Sequence, residues 1–329
     1  MRAIVNVAPY QLAVQEIPLP EPGAGWVRIR SGACGICGTD IEMISGAERI
    51  KRPAILGHEW SGIVDVVGPG VDQDWVGARC VADNVLSDGK EVGFEYPGGF
   101  GEYFLTEARN LYRVPSDFSL VEATLIEPLA VAVRGFRRLR LVDRRNALVF
   151  GDGVIGLFMI WLLRAANVGR IVAVGGHDDR LMVATDFGAN HIVNYHAAGD
   201  HLVDELLGIE SGLFYNIVEA SGSPDSMQAS LDLATTCGHV LMLGDYGSAR
   251  ANFKWNQVLH KEIELIGSNA SRDAWEAAVM IATSEEIPLH RLITHRFSPL
   301  GYEAAYQLAR GKNGDVVKVV LEWIPDRQS

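Results

Sequence analysis

Only four cysteines occur in the 329 residues, Cys34, Cys37, Cys80 and Cys237. Their spacing is not that of a disulfide framework, so a cytoplasmic, reducing setting is expected. Basic residues are also in deficit. The 29 Lys and Arg against 41 Asp and Glu leave a formal net charge of −12. Nucleic acid and anionic membrane both need a basic surface, so neither is expected as a main partner. No apolar run reaches about 18–20 residues, which excludes an expected transmembrane helix. The apolar stretch Ile155–Ala166 is too short for that and reads as a buried helix. The opening Met1–Val7 lacks a long apolar core and a small-residue cleavage site. It reads as a strand and not as a signal peptide. Internal repeats and low-complexity tracts are missing as well.

What is present is length and a change of texture. A chain of 329 residues is too long for one average core, so two domains are expected. The first 110 residues or so are strand-rich and punctuated by Gly and Pro, with strands expected at Met1–Val7, Gly25–Ser31, Gly62–Gly68 and Gly101–Thr106. From about residue 130, short apolar strands alternate with helical patterns. The strands are Ala147–Phe150, Ile171–Val174, Ile192–Asn194, Tyr215–Glu219, His239–Leu243 and Glu264–Ile266. The helices are Val154–Ala166, Asp178–Phe187, Asp200–Leu207, Asp225–Leu233 and Arg272–Thr283. That alternation predicts an α/β, doubly wound parallel sheet covered on both faces. The tail returns to β character at Val316–Trp323 after a helix Gly301–Arg310. The expected division is a discontinuous β-rich domain, 1–130 with 271–329, around a Rossmann domain, 131–270.

The strand Ala147–Phe150 runs directly into Gly151-Asp152-Gly153-Val154-Ile155-Gly156 and then into an apolar helix. A glycine-rich G-x-G-x-x-G turn between a strand and a helix is the context that dinucleotide binding requires. Gly151 permits the tight turn, Gly153 lets the backbone approach a pyrophosphate, and Gly156 lets the helix pack on the strand, with Val154 and Ile155 between them. An NAD enzyme usually carries an acidic residue at the end of the next strand. Here that position is Gly175, followed by Gly176-His177-Asp178-Asp179-Arg180. Gly leaves room for a 2′-phosphate, and His177 and Arg180 can donate to it. Asp178 and Asp179 read as helix caps. NADP(H) is therefore favoured over NAD(H).

Three further segments carry side chains that bind zinc: Gly35-Ile36-Cys37-Gly38-Thr39-Asp40, Gly57-His58-Glu59, and Ile126-Glu127-Pro128-Leu129. Three protein ligands with an open position is the pattern of a catalytic zinc site. Singly, each has a plainer reading: a buried thiol, a satisfied histidine, a helix-start glutamate. Together with Gly62–Gly68 and the glycine-rich turn, they resemble the zinc-containing medium-chain dehydrogenases, especially the sorbitol, polyol and threonine dehydrogenase branch. The resemblance runs in order along nearly the whole chain, including Tyr215–Gly222, His239–Tyr246 and Ile293–Phe297.

That resemblance implies a GroES-like catalytic domain beside the Rossmann domain. It implies Cys37, His58 and Glu59 as zinc ligands, with Glu127 bound directly or through water. Thr39 takes the place of the hydroxyl that touches the substrate alcohol, and Asp40 that of the acceptor fixing the histidine tautomer. Glu42 stands where relatives end a proton relay; relay and solvent-facing residue remain equal readings. Ser221 and Gly244 fall at the cofactor, and Tyr103 and Asn269 in regions that line the substrate pocket. Many relatives bind a structural zinc through four closely spaced cysteines. The stretch Cys80–Gly101 holds one thiol, which cannot close such a site, so one zinc per chain is expected.

The function implied is hydride transfer between a secondary alcohol or its ketone, of polyol, sugar or cyclitol type, and NAD(P), in the cleft between domains. A sugar phosphate stays an open substrate reading, but no dedicated basic cluster supports it, and Arg49, Lys51 and Arg52 read rather as a solvated loop. A zinc-free quinone or enoyl reductase of the same superfamily and a non-catalytic nucleotide-binding protein stand as alternatives. Relatives pair edge strands of the Rossmann sheet, so a homodimer or homotetramer with Glu262–Gly267 at a two-fold interface is expected.

Overall fold

The computed structural model describes residues 1–141, 143–209, 213–284, 286–311 and 314–325. The last residues of the expected β-rich domain, 326–329, lie outside them. The chain forms two compact units, Met1–Pro128 with Trp275–Ser329, and Leu129–Ala274.

The first unit is built on a seven-stranded sheet. Its path runs Ile293–Phe297, Lys318–Glu322, Trp26–Ile36, Glu59–Val67, Arg79–Ala82 and Leu111–Arg113, with Tyr103–Glu107 also paired to Trp26–Ile36. A separate hairpin pairs Arg2–Ala8 with Gln11–Glu16. The strand Trp26–Ile36 is central, and its last residues bear on function. Gly35 pairs with Glu59 on one side and with Val320 on the other. Side chains opposite one another across a sheet share a face, as do positions two apart along a strand. Glu59 and Lys318 therefore rise on the same face, flanking a residue with no side chain. Beyond this strand the chain turns through Cys37 into the helix Gly38–Ser45.

The second unit holds the six-stranded sheet. Its order is His191–Asn194, Arg170–Gly175, Asn146–Phe150, Phe214–Glu219, Ala234–Met242 and Glu264–Gly267, every neighbouring pair parallel. Asn146–Phe150 is buried along its whole length, as a central strand between two helical layers must be. The order reverses between Asn146–Phe150 and Phe214–Glu219. In doubly wound sheets, ligands bind at the carboxyl ends of the strands flanking that reversal. Here those ends deliver Gly151 and Glu219. The helices Val154–Ala165, Asp178–Asp186, Leu202–Ile209 and Pro224–Leu233 supply the crossovers.

Among the described residues, two helices of eight residues or more had no expectation in the sequence, Gly38–Ser45 and Ile126–Leu139. The first is short, and its opening Cys-Gly-Thr-Asp resembles a loop. Among the described residues no helix is long and apolar enough to cross a membrane.

Candidate metal centre and dinucleotide site

In the first unit one ligand atom each from Cys37, His58 and Glu59 lie within 4.8 Å of one another. Among the described residues this is the only such convergence of three His, Cys, Asp or Glu side chains. Cys37 caps the helix Gly38–Ser45, and the buried Asp40 accepts from its backbone N–H at 2.9 Å. The same carboxylate accepts from Gly57 N–H at 3.3 Å and stands 3.4 Å from His58 Nδ1. Asp40 thus ties together the two segments that carry Cys37 and His58. The Thr39 hydroxyl lies 3.6 Å from Cys37 Sγ.

His58 stacks on Phe94, with ring centroids 4.7 Å apart. Its carbonyl accepts from Asn84 Nδ2 at 2.7 Å, and Asn84 Oδ1 accepts from Trp60 Nε1. Phe94 and Asn84 both belong to the stretch after Cys80. The stretch packs through glycines: a Cβ on Gly93 would stand 2.6 Å from the Gly57 carbonyl carbon and from His58 N. Burial pushes the Cys80 thiol up to about 12, so it stays a protonated apolar group.

Glu59 is buried and gives both oxygens to the buried Lys318 ammonium, at 2.8 and 2.6 Å. Gly35 makes this possible, since a Cβ there would overlap Glu59 Oε2 and crowd Lys318 Cδ at 3.4 Å. Each carboxylate oxygen keeps a further lone pair, so Glu59 remains a donor. Burial pushes Glu127 up to about 7, with His58 opposing and Glu59 adding to the rise. Glu127 is outside the close triad but within its electrostatic reach. Burial works against a charged His58, yet Asp40 and Cys37 outweigh it and hold the ring well above its ordinary pKa. The donor atoms therefore favour a positive charge among them. A thiol, an imidazole and a carboxylate with that preference fit zinc.

In the second unit Gly151 has φ +116°, which only glycine adopts freely, and a Cβ there would press on Ala220 at 2.9 Å. Gly153 caps the helix Val154–Ala165 with nothing near its missing Cβ, and a Cβ on Gly156 would overlap the Gly151 carbonyl. The turn has the features that a pyrophosphate cradle needs. Glu219, fully buried, accepts from Ser221 N–H (2.9 Å), Ser221 Oγ, Gly222 N–H (3.2 Å) and Tyr246 Oη (2.5 Å). It joins the loops that carry Ser221 and Gly244.

Two expectations, at Gly175 and Tyr103, fail to meet the geometry. The room expected at Gly175 is filled: a Cβ there would lie 2.6 Å from Asp152 Cβ and 2.7 Å from its Oδ2. The donors offered to a 2′-phosphate face that carboxylate instead. Its Oδ2 accepts from Gly176 N–H (2.9 Å) and His177 N–H (3.0 Å) and stands 3.1 Å from His177 Nδ1, with Arg180 Nη1 3.6 Å from Oδ1. Tyr103 pairs with Arg30, seven residues before Cys37, roughly 20 Å away along the strand. It lines an apolar cavity of about 340 Å³ with Met1, Ile17, Trp26 and Tyr96. The alternation of the strand sets where it points. Asn269 is exposed on the loop after Glu264–Gly267 in the second unit, and Glu42 is exposed and outside the triad.

A family model described as the alcohol dehydrogenase GroES-like domain matches residues 23–116, and one described as zinc-binding dehydrogenase matches 154–284. The L-threonine 3-dehydrogenase of Pyrococcus horikoshii is 30% identical, over 96% of this chain and 98% of its own length. The sorbitol dehydrogenase of Arabidopsis thaliana is also 30% identical, over 94% and 92%. The chain belongs to the zinc-dependent medium-chain dehydrogenases. It is accordingly an NAD(P)-dependent oxidoreductase acting on a CH–OH group of a small molecule. Among solved structures, the rspB alcohol dehydrogenase of Escherichia coli CFT073, complexed with NADH, superposes with a TM-score of 0.91 at 26% identity, over 98% of this chain and 99% of that one. A zinc-binding dehydrogenase of Sinorhizobium meliloti 1021, bound to NADP, gives 0.91 at 25% identity, over 98% of each chain.

Sequence reasoning missed four residues of this dehydrogenase that the geometry brings forward: Lys318, Asn84, Phe94 and Asp152. Two left a signal. Lys318 is a lone charge inside the apolar run Val316–Leu321, where a buried charge needs a partner. Asp152 is an acid inside a turn that faces a missing side chain.

Proposed function

We propose that this dehydrogenase moves a hydride between a nicotinamide dinucleotide and a secondary alcohol of the polyol, sugar or cyclitol class. The convergence of Cys37, His58 and Glu59 within 4.8 Å carries the reading. Those three side chains would hold one zinc, with Glu127 as a fourth or exchangeable ligand. Zinc bound there would act as a Lewis acid on the substrate oxygen. Asp40 fixes the position of His58, and Lys318 fixes the carboxylate plane of Glu59. The Thr39 hydroxyl, 3.6 Å from Cys37 Sγ, would take the alcohol proton. The Gly151–Gly156 turn would bind the pyrophosphate, with the Glu219-tethered loops bearing Ser221 and Gly244 beside it. A site rich in carboxylates, Glu59 and Glu127, suits a hydroxylated and uncharged substrate better than an anionic one.

The triad favours this reading over a zinc-free quinone or enoyl reductase. A panel of polyols, cyclitols, simple alcohols and enones, assayed with both dinucleotides, tests it. Oxidation of polyols or cyclitols at the highest kcat/KM is expected. Turnover confined to enones would place the chain with the zinc-free reductases.

Among the described residues, the Rossmann edge strand Glu264–Gly267 has no partner on its outer side within the sheet order. A cytoplasmic homodimer or homotetramer paired through it fits that edge. Sedimentation at micromolar concentration checks the assembly, and a monomer alone would count against it.

A further inference from the structure

We infer that Asp152 reads the cofactor's adenosine ribose and selects NAD(H) over NADP(H). This rests on the dehydrogenase reading above and sharpens it. In doubly wound folds, the group at the carboxyl end of the second strand meets the ribose 2′ position, and an acid there accepts from the 2′-hydroxyl. The second strand of this sheet, Arg170–Gly175, ends in a residue with no side chain. Asp152 reaches in from the preceding glycine-rich turn. Its carboxylate sits where a side chain on Gly175 would begin, 2.6–2.8 Å from that missing Cβ.

The carboxylate is fixed there. Gly176 N–H and His177 N–H donate to Oδ2 at 2.9 and 3.0 Å, and His177 Nδ1 stands at 3.1 Å from the same atom. Among the described residues, the contact of Oδ1 is Arg180 Nη1 at 3.6 Å, longer than a good hydrogen bond. Its lone pairs are available to a ribose hydroxyl. The Asp152 side chain keeps 11% of its surface open, so it is reachable. A 2′-phosphate would meet two difficulties at once. Its charge would face a carboxylate at contact distance. The donors that could neutralise it, the Gly176 and His177 amides, the His177 ring and the Arg180 guanidinium, already face Asp152.

Dissociation constants for NADH and NADPH, measured by titration calorimetry on the zinc-loaded protein, test the inference without using turnover. The wild type is expected to bind NADH at least about ten-fold more tightly than NADPH, the worth of one charge-assisted hydrogen bond. Asp152→Asn should lose most of that preference, by weakening NADH and strengthening NADPH. Asp152→Ser serves as a second variant, and the wild-type ratio needs no variant at all. NADPH bound as tightly as NADH by the wild type would overturn the inference. So would a variant that weakens both dinucleotides equally, the mark of a merely structural role. Failure to bind either dinucleotide would overturn the dehydrogenase reading itself. Binding of both in the wrong order would overturn only the role of Asp152.

Discussion

Glu59 in the first unit and Glu219 in the second are both buried at a strand end, and the two are held in different ways. Glu59 meets a formal cation, Lys318, with both oxygens. Glu219 meets no cation among its hydrogen-bond partners; two backbone N–H groups and two hydroxyls surround it. The difference matches what each carboxylate has to do. An ammonium neutralises charge without consuming every lone pair, so Glu59 stays able to bind a metal. Four dipolar donors consume the lone pairs of Glu219 and leave it only a structural task, tethering the loops of Ser221 and Tyr246. Asp40 stands between the two, held by the amides of Cys37 and Gly57 and close to the His58 ring.

The comparison can be broken by removing partners. Lys318→Met should have the largest effect, about 3–5 kcal/mol of stability, because it strands a buried carboxylate. Urea unfolding measures it, and the double variant Lys318→Met with Glu59→Gln should recover part of the loss. A cost no larger than that of Tyr246→Phe would erase the distinction between the two sites. Gly35→Ala should come next. The new Cβ overlaps Glu59 Oε2, so about 1–3 kcal/mol of overpacking is expected on the same unfolding curve. Asp40→Asn should keep the fold and weaken zinc by roughly ten- to a hundred-fold, read by competition with a chelating dye. Tyr246→Phe should be smallest, about 0.5–1.5 kcal/mol, since three donors to Glu219 remain.

How much of this could be read in the chain follows from locality. Gly151 to Gly156 is contiguous, its strand and helix are adjacent, and the alternation of six strands with helices fixes the parallel sheet. Cys37, His58 and Glu127 come from separate segments, so composition and spacing alone left each with a plainer reading. The family resemblance joined them. Lys318 and Glu59 meet only because two strands flank Gly35, a relation that depends on register. Asp152 shows the same limit at short range. Gly175 was read as open space, but a side chain 23 positions earlier fills it. Tyr103 failed for the related reason that its neighbour across the sheet, Arg30, sits far up the strand from Cys37.

Metal content measured by atomic emission beside turnover, for the wild type, Cys37→Ala, His58→Ala and Glu127→Ala, tests the central claim most directly. The account predicts one zinc per chain in the wild type, loss of zinc and turnover together in Cys37→Ala and His58→Ala, and retained zinc with damaged turnover in Glu127→Ala. Full activity in protein stripped of metal would contradict it, as would two zincs per chain.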